Sequence, residues 1–213
     1  MAKLVVWRHG QTDYNLQGRV QGVTDISLNE AGLAQADVAA PIIAAYKPVK
    51  IIASPLERAQ QTAQALAKLT GVKVASDKRL IERSFGIWEG LTGKEIKSNW
   101  PQEFELWRGK CATPAGIGME EREAVGHRSA AAMRDAVEGL DTDDTVVLVA
   151  HSAVLTMGTT CLLGLDPNNW SGLLSLGNCA WGVLHNGLRL PGWAIRQWNV
   201  SMTDSSNSTP AIW

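Results

Sequence analysis

The chain has 213 residues, 45% hydrophobic and 19% charged, with a net charge of −1. This is the profile of a globular protein, and the length suits one large domain. A near-neutral chain has no bulk attraction to nucleic acid, and no apolar run reaches the roughly 18 residues that span a bilayer. The first residues turn polar too early for a signal peptide. Cys111, Cys161 and Cys179 are odd in number and show no C-x-x-C pair, which argues against a disulfide framework or a zinc site. A cytoplasmic protein binding neither nucleic acid nor membrane is the expectation.

LVVW (4–7) reads as a first buried strand, stopping abruptly at Arg8-His9-Gly10. Its apolar run does not alternate, which suits a strand covered on both faces. Ser27-Leu28-Asn29-Glu30 reads as a capping box opening an alanine-rich helix to about Tyr46, with Pro41 as a kink. VKIIA (49–53) is a second buried strand, and Pro55 is predicted to open the next helix, LERAQQTAQALAKL. VKVASD (72–77) is a weaker strand. Thr92 caps a short helix, and Trp100, Pro101, Phe104 and Trp107 follow among charges, before the turn-rich TPAGIG. Residues 91–120 are expected to form a flap over one end of the sheet. A helix over about 119–138 returns to a third buried strand, TVVLVA (145–150), and AVLTMGTTCLLGL forms a buried helix ending near Gly164. LLSL (173–176), AWGVLHN (180–186) and IRQWNV (195–200) are read as further strands, the last at an edge. Residues 201–213 are read as a polar tail after a single domain spanning 1–200.

Alternating strands and helices predict an α/β fold with a mainly parallel sheet, whose ligands bind beyond the carboxyl ends of the strands. Arg8-His9 follows the first strand, Ser54-Pro55 with Arg58 the second, and His151-Ser152 the third. His127 and His185 are read as ordinary exposed histidines. Two imidazoles and two guanidiniums on one rim would repel one another without an anion between them. Arginine's planar fork matches phosphate oxygens. There is no G-x-x-x-x-G-K-[ST] and no group of aspartates that would suggest magnesium, so the reading is a phosphate held by side chains without a metal. A histidine there can attack phosphorus, and the leaving alkoxide needs an acid. Glu82 is the candidate, with Glu89 as its rival. Gly10 is read as giving the backbone room beside the anion. Trp100, Phe104 and Trp107 are taken as packing, and Lys94, Lys97, Arg108 and Lys110 as a solvated face.

Arg8-His9-Gly10-Gln11-Thr12 with Asn15, Ser54-Pro55-Leu56-Glu57-Arg58-Ala59, Glu82 followed by Phe85-Gly86, and Val149-Ala150-His151 together resemble the histidine phosphatase superfamily, in its phosphoglycerate-mutase-like branch. The resemblance covers nearly the whole chain. It implies a three-layer α/β/α sandwich, His9 as nucleophile, Glu82 as proton donor and His151 as the third catalytic residue. Arg8, Asn15, Gln21, Arg58 and Ser152 would hold the substrate phosphate. No metal or cofactor is implied, and a homodimer is expected from the resemblance alone. Two departures stand out. Ser152 replaces the glycine usual after the second histidine, and Gly118-Met119-Glu120-Glu121 replaces a Gly-Gly-Glu-Ser stretch, which leaves the role of Glu120 open. The implied activity is hydrolysis of a small phosphomonoester through a phosphohistidine. The run through Arg19-Val20-Gln21-Gly22 and Gly177-Asn178-Cys179-Ala180-Trp181 resembles members of the family that act on a glycosylated phosphoglycerate. The alternatives are a phosphoglycerate mutase and a non-catalytic phosphate-binding protein on the same fold.

Overall fold

A computed structural model describes residues 2–110, 112–187 and 189–202; Cys111 and most of the predicted tail, 203–213, lie outside them. Among the described residues, six strands form one mixed sheet in the order β3-β2-β4-β1-β5-β6. They are β1 (Lys3–Arg8), β2 (Pro48–Ala53), β3 (Val74–Ser76), β4 (Thr145–Ala150), β5 (Trp181–Asn186) and β6 (Trp193–Val200). β3, β2, β4 and β1 run parallel, while β5 is added antiparallel beside β1 and β6 pairs antiparallel with β5 at the edge.

The period of two along each strand separates two cores. Leu4 and Val6 of β1 join Val146, Leu148 and Leu184 against α6 (Arg122–Val137) and α7 (Ser152–Leu162). Val5 and Trp7 join Ile51, Val147, Val149 and Val183 against α2 (Glu30–Ala44) and α3 (Glu57–Thr70). Both sheet faces are therefore covered, and the fold is the predicted three-layer α/β/α sandwich. Among the described residues, no helix is long and apolar enough to cross a membrane. Residues 91–120 carry α4 (Gly93–Asn99), opened by a Thr92–Glu95 capping box, and α5 (Pro101–Lys110). Trp88 and Trp107, at 5.6 Å between rings, centre a third small core with Val20, Phe85, Ile96, Ile117 and Met119.

Three local expectations are corrected. Asn29, not Ser27, caps α2, its side-chain oxygen accepting from the Gly32 amide at 2.9 Å. Pro55 lies before α3, because Leu56 is extended and the helix begins at Glu57, whose amide donates to Asp25 at 2.8 Å. LLSL is not a strand. Its carbonyls are taken by side chains: the Arg8 guanidinium donates to Leu176 O at 2.6 Å, and the Trp198 indole to Leu174 O at 2.8 Å. The one-turn helix α1 (Asp13–Leu16), capped by Thr12, was not predicted.

Candidate active site

β1 and β4 are parallel neighbours with Arg8 opposite Ala150, so the residues that follow them meet. The rings of His9 and His151 lie 5.1 Å apart, tilted by 59°. His9 is buried, and its Nδ1 is 2.7 Å from Gly10 O. A carbonyl only accepts, so Nδ1 carries the proton and Nε2 keeps its lone pair. Burial first, then the charges of Arg58 and Arg8, hold the His9 pKa well below 6.5. His151 is fully buried, and its pKa is lowered in the same way by burial, then Arg58, His9 and Arg8.

Arg58 is the second residue of α3 and is completely buried. Its Nε donates to His151 Nδ1 at 3.2 Å, and its two Nη groups donate to the carbonyls of Thr24 and Gly22, both at 2.8 Å. A guanidinium cannot accept, so His151 Nδ1 is bare and its proton sits on Nε2, donated to Ser54 Oγ at 2.7 Å. Arg8, besides its bond to Leu176, has a buried Nε without a partner among the described residues. Burial lowers the pKa of each arginine to about 10. Two buried guanidiniums, one with an unmet donor, make a strained electrostatic arrangement that an anion relieves.

Glu82 reaches the first turn of α7. Its Oε1 accepts from the amides of Arg83 at 2.8 Å and Val154 at 3.0 Å, and its Oε2 from Ala153 at 3.2 Å. Each carboxylate oxygen has two lone pairs, so Oε2 retains one. Arg128 fixes the backbone beneath it, donating to the carbonyls of Arg79, Ile81 and Glu82. Glu120 grips Arg128 at 2.8 and 2.9 Å, which gives Glu120 a structural place in this corner. Glu89 is engaged elsewhere, accepting from the amides of Val23, Thr24 and Phe85.

A cavity of about 440 Å³ opens here. Arg8, His9, Gln21, Arg58, Glu82 and Ser152 line it, with His151 behind His9 and Arg58. Asn15 is outside the wall. Its amide oxygen accepts from Thr12 at 3.1 Å and from Asn178 at 3.1 Å, closing α1. Gln21 Oε1 accepts from Thr12 Oγ1 at 2.9 Å. Lys94, Lys97 and Arg108 are not wall residues, and the side chain of Lys110 lies outside the description. Arg122, Thr156, Met157 and Trp170 line the cavity although sequence reasoning did not single them out. Met157 and Thr156 repeat at helical spacing from Ser152-Ala153, a signal that was available; Trp170 and Arg122 had none. Gly10 serves packing rather than the anion: a Cβ there would run into the Gly32 carbonyl of α2.

A family model of the histidine phosphatase superfamily (branch 1) matches residues 4–201. Glucosyl-3-phosphoglycerate phosphatase of Mycobacterium tuberculosis is 38% identical, covering 96% of this chain and 97% of that one. Phosphoserine phosphatase 1 of Hydrogenobacter thermophilus is 30% identical over 87% of each. The structure of mycobacterial glucosyl-3-phosphoglycerate phosphatase complexed with VO3 superposes with a TM-score of 0.85 at 38% identity, covering 93% of this chain and 99% of that one. With its two histidines, two buried arginines and carboxylate at the ends of a parallel sheet, the chain belongs to branch 1 of the histidine phosphatase superfamily.

Proposed function

We propose that the protein is a phosphoric monoester hydrolase whose substrate is glucosyl-3-phosphoglycerate, working through a phosphohistidine on His9. The observation that carries the chemistry is the His9 tautomer. Nδ1–H is spent on Gly10 O, burial and two arginines keep the ring neutral, and the Nε2 lone pair is free to attack. The substrate class rests on the 38% identity to glucosyl-3-phosphoglycerate phosphatase over nearly the full length of both chains.

In this reading the phosphoryl group enters between His9, Arg8 and Arg58. Nε2 bonds to phosphorus as the ester P–O bond breaks, and Glu82, protonated on Oε2, hands its proton to the departing alkoxide. The two guanidiniums hold the charge on the equatorial oxygens. His151 keeps Arg58 aligned and contributes its own ring to the wall behind His9. The first turn of α7, beginning at Ser152, donates its Ala153 and Val154 amides to Glu82, so the positive end of the helix holds that carboxyl at the edge of the phosphoryl site. Water then attacks phosphorus, the P–N bond breaks, Glu82 recovers a proton and phosphate leaves.

A phosphate-release screen including glucosyl-3-phosphoglycerate tests the substrate. His9→Ala is expected to lower turnover by roughly 10⁴-fold or more and to abolish acid-labile, base-stable labelling of the protein by substrate phosphate. Glu82→Gln should cost about 10²–10⁴-fold on sugar and glycerate esters but far less on p-nitrophenyl phosphate, whose leaving group departs without a proton. Full activity of His9→Ala would refute the phosphohistidine route. Isomer rather than free phosphate from 3-phosphoglycerate with a bisphosphate primer would mark a mutase.

A further inference from the structure

Arg8, His9, Arg58 and Glu82 account for one end of the cavity. The rest has a different chemistry. α7 presents Ser152, Ala153, Thr156, Met157 and Thr160 to it, one helical stripe. At 1.5 Å per residue, that stripe carries the cavity about 12 Å away from the phosphate end. A phosphoryl group fills only a small part of this length.

Trp170, Leu173 and Leu174, from the loop between α7 and β5, bound the same space. The loop begins with an ordered turn in which Asp166 O accepts from the Trp170 amide at 2.9 Å. Arg122 Nε donates to Pro167 O at 2.8 Å and so ties that turn to α6. The Trp170 ring rests on Gly172. A Cβ there would collide with Cζ2 and stand 2.8 Å from Cε2 and 3.0 Å from Cη2. Gly172 is thus the residue that lets the indole settle against the backbone while the ring stays in the cavity wall. Leu174 beside it is 75% exposed, an apolar lip at the mouth.

An indole in a wall that also carries Ser171 is amphipathic in the way a pyranose is: C–H faces pack on the ring and hydroxyls bond at its margin. We propose that Trp170 is a specificity-determining residue that receives the sugar ring of the substrate, with Gly172 setting the angle of the indole. This rests on the reading of the substrate as a glycosylated phosphoglycerate.

Steady-state kinetics of the wild type, Trp170→Ala, Trp170→Phe and Gly172→Ala on glucosyl-3-phosphoglycerate, 3-phosphoglycerate and p-nitrophenyl phosphate provide the test. Trp170→Ala and Gly172→Ala are expected to raise KM for the glycosylated substrate about 3- to 10-fold relative to KM for the other two, with Trp170→Phe restoring most of the preference. An equal change on all three substrates, or none on the glycosylated one, would overturn the role of Trp170 alone. A wild type that hydrolyses 3-phosphoglycerate and p-nitrophenyl phosphate but not glucosyl-3-phosphoglycerate would overturn the substrate reading and this proposal together. Should Trp170→Ala fail to fold, Gly172→Ala, which keeps the ring but displaces it, decides.

Discussion

His9 and His151 are neutral in the folded chain for the same reason, burial beside guanidiniums. Their folded pKa values lie below the ordinary 6.5, so the unfolded chain binds more protons as the pH falls below that value. Stability is therefore untouched by these rings above about pH 7.5 and declines below about 6.5, by at most about 1.4 kcal/mol per pH unit for each ring. Urea midpoints at about pH 7.5 and about pH 5.5 should show this fall, and His151→Gln should make it shallower by one ring's share. Not every residue of the site was readable in this way from the chain alone. His9, His151 and Arg58 were legible because each follows a buried strand closely enough that topology leaves little choice. Asn15 follows the same strand at a greater distance, and the one-turn helix it closes aims its amide at Thr12 and Asn178 instead.

At the scale of elements, the loop after β1 is held from two sides. Gly10 N donates to Thr62 of α3 at 3.1 Å, and Gln11 N to Gln35 of α2 at 2.9 Å. Gly10 and Gly32 pass back to back, so that a Cβ on Gly32 would meet Gln11 O. Gly32→Ala should destabilise the fold by about 1–3 kcal/mol and reduce kcat with it, because relief requires the His9 loop to move; urea denaturation and p-nitrophenyl phosphate turnover check both. The same contacts explain the cap of α2. Ser27 and Asn29 are both good cap residues, but Asn29 also takes Gln11 as a partner through its backbone and side chain, a tertiary choice invisible to local pattern. LLSL looks like a strand for the opposite reason: its apolar residues are right, while its carbonyl partners are Arg8 and Trp198, distant in sequence.

For the molecule as a whole, a chain of net charge −1 gathers Arg8, Arg58 and Arg122 around one cavity, with Glu82 among them. An anion bound there acts on global stability through mass action. Phosphate or orthovanadate at about 100 times its Kd should add about 2.7 kcal/mol and raise Tm by roughly 5–10 °C for a chain of this size. Thermal melts read the shift, and Arg58→Met should remove most of it. The depth of His9, only 2% exposed, also sets the order in which the halves of a cleaved ester depart. In the proposed mechanism the space that runs outward along α7 holds the alcohol half, which must vacate it before water can approach the phosphorus. On that mechanism the leaving group corks its own channel: it shields the labile P–N bond for as long as it stays, and inorganic phosphate, seated innermost, is the last to go.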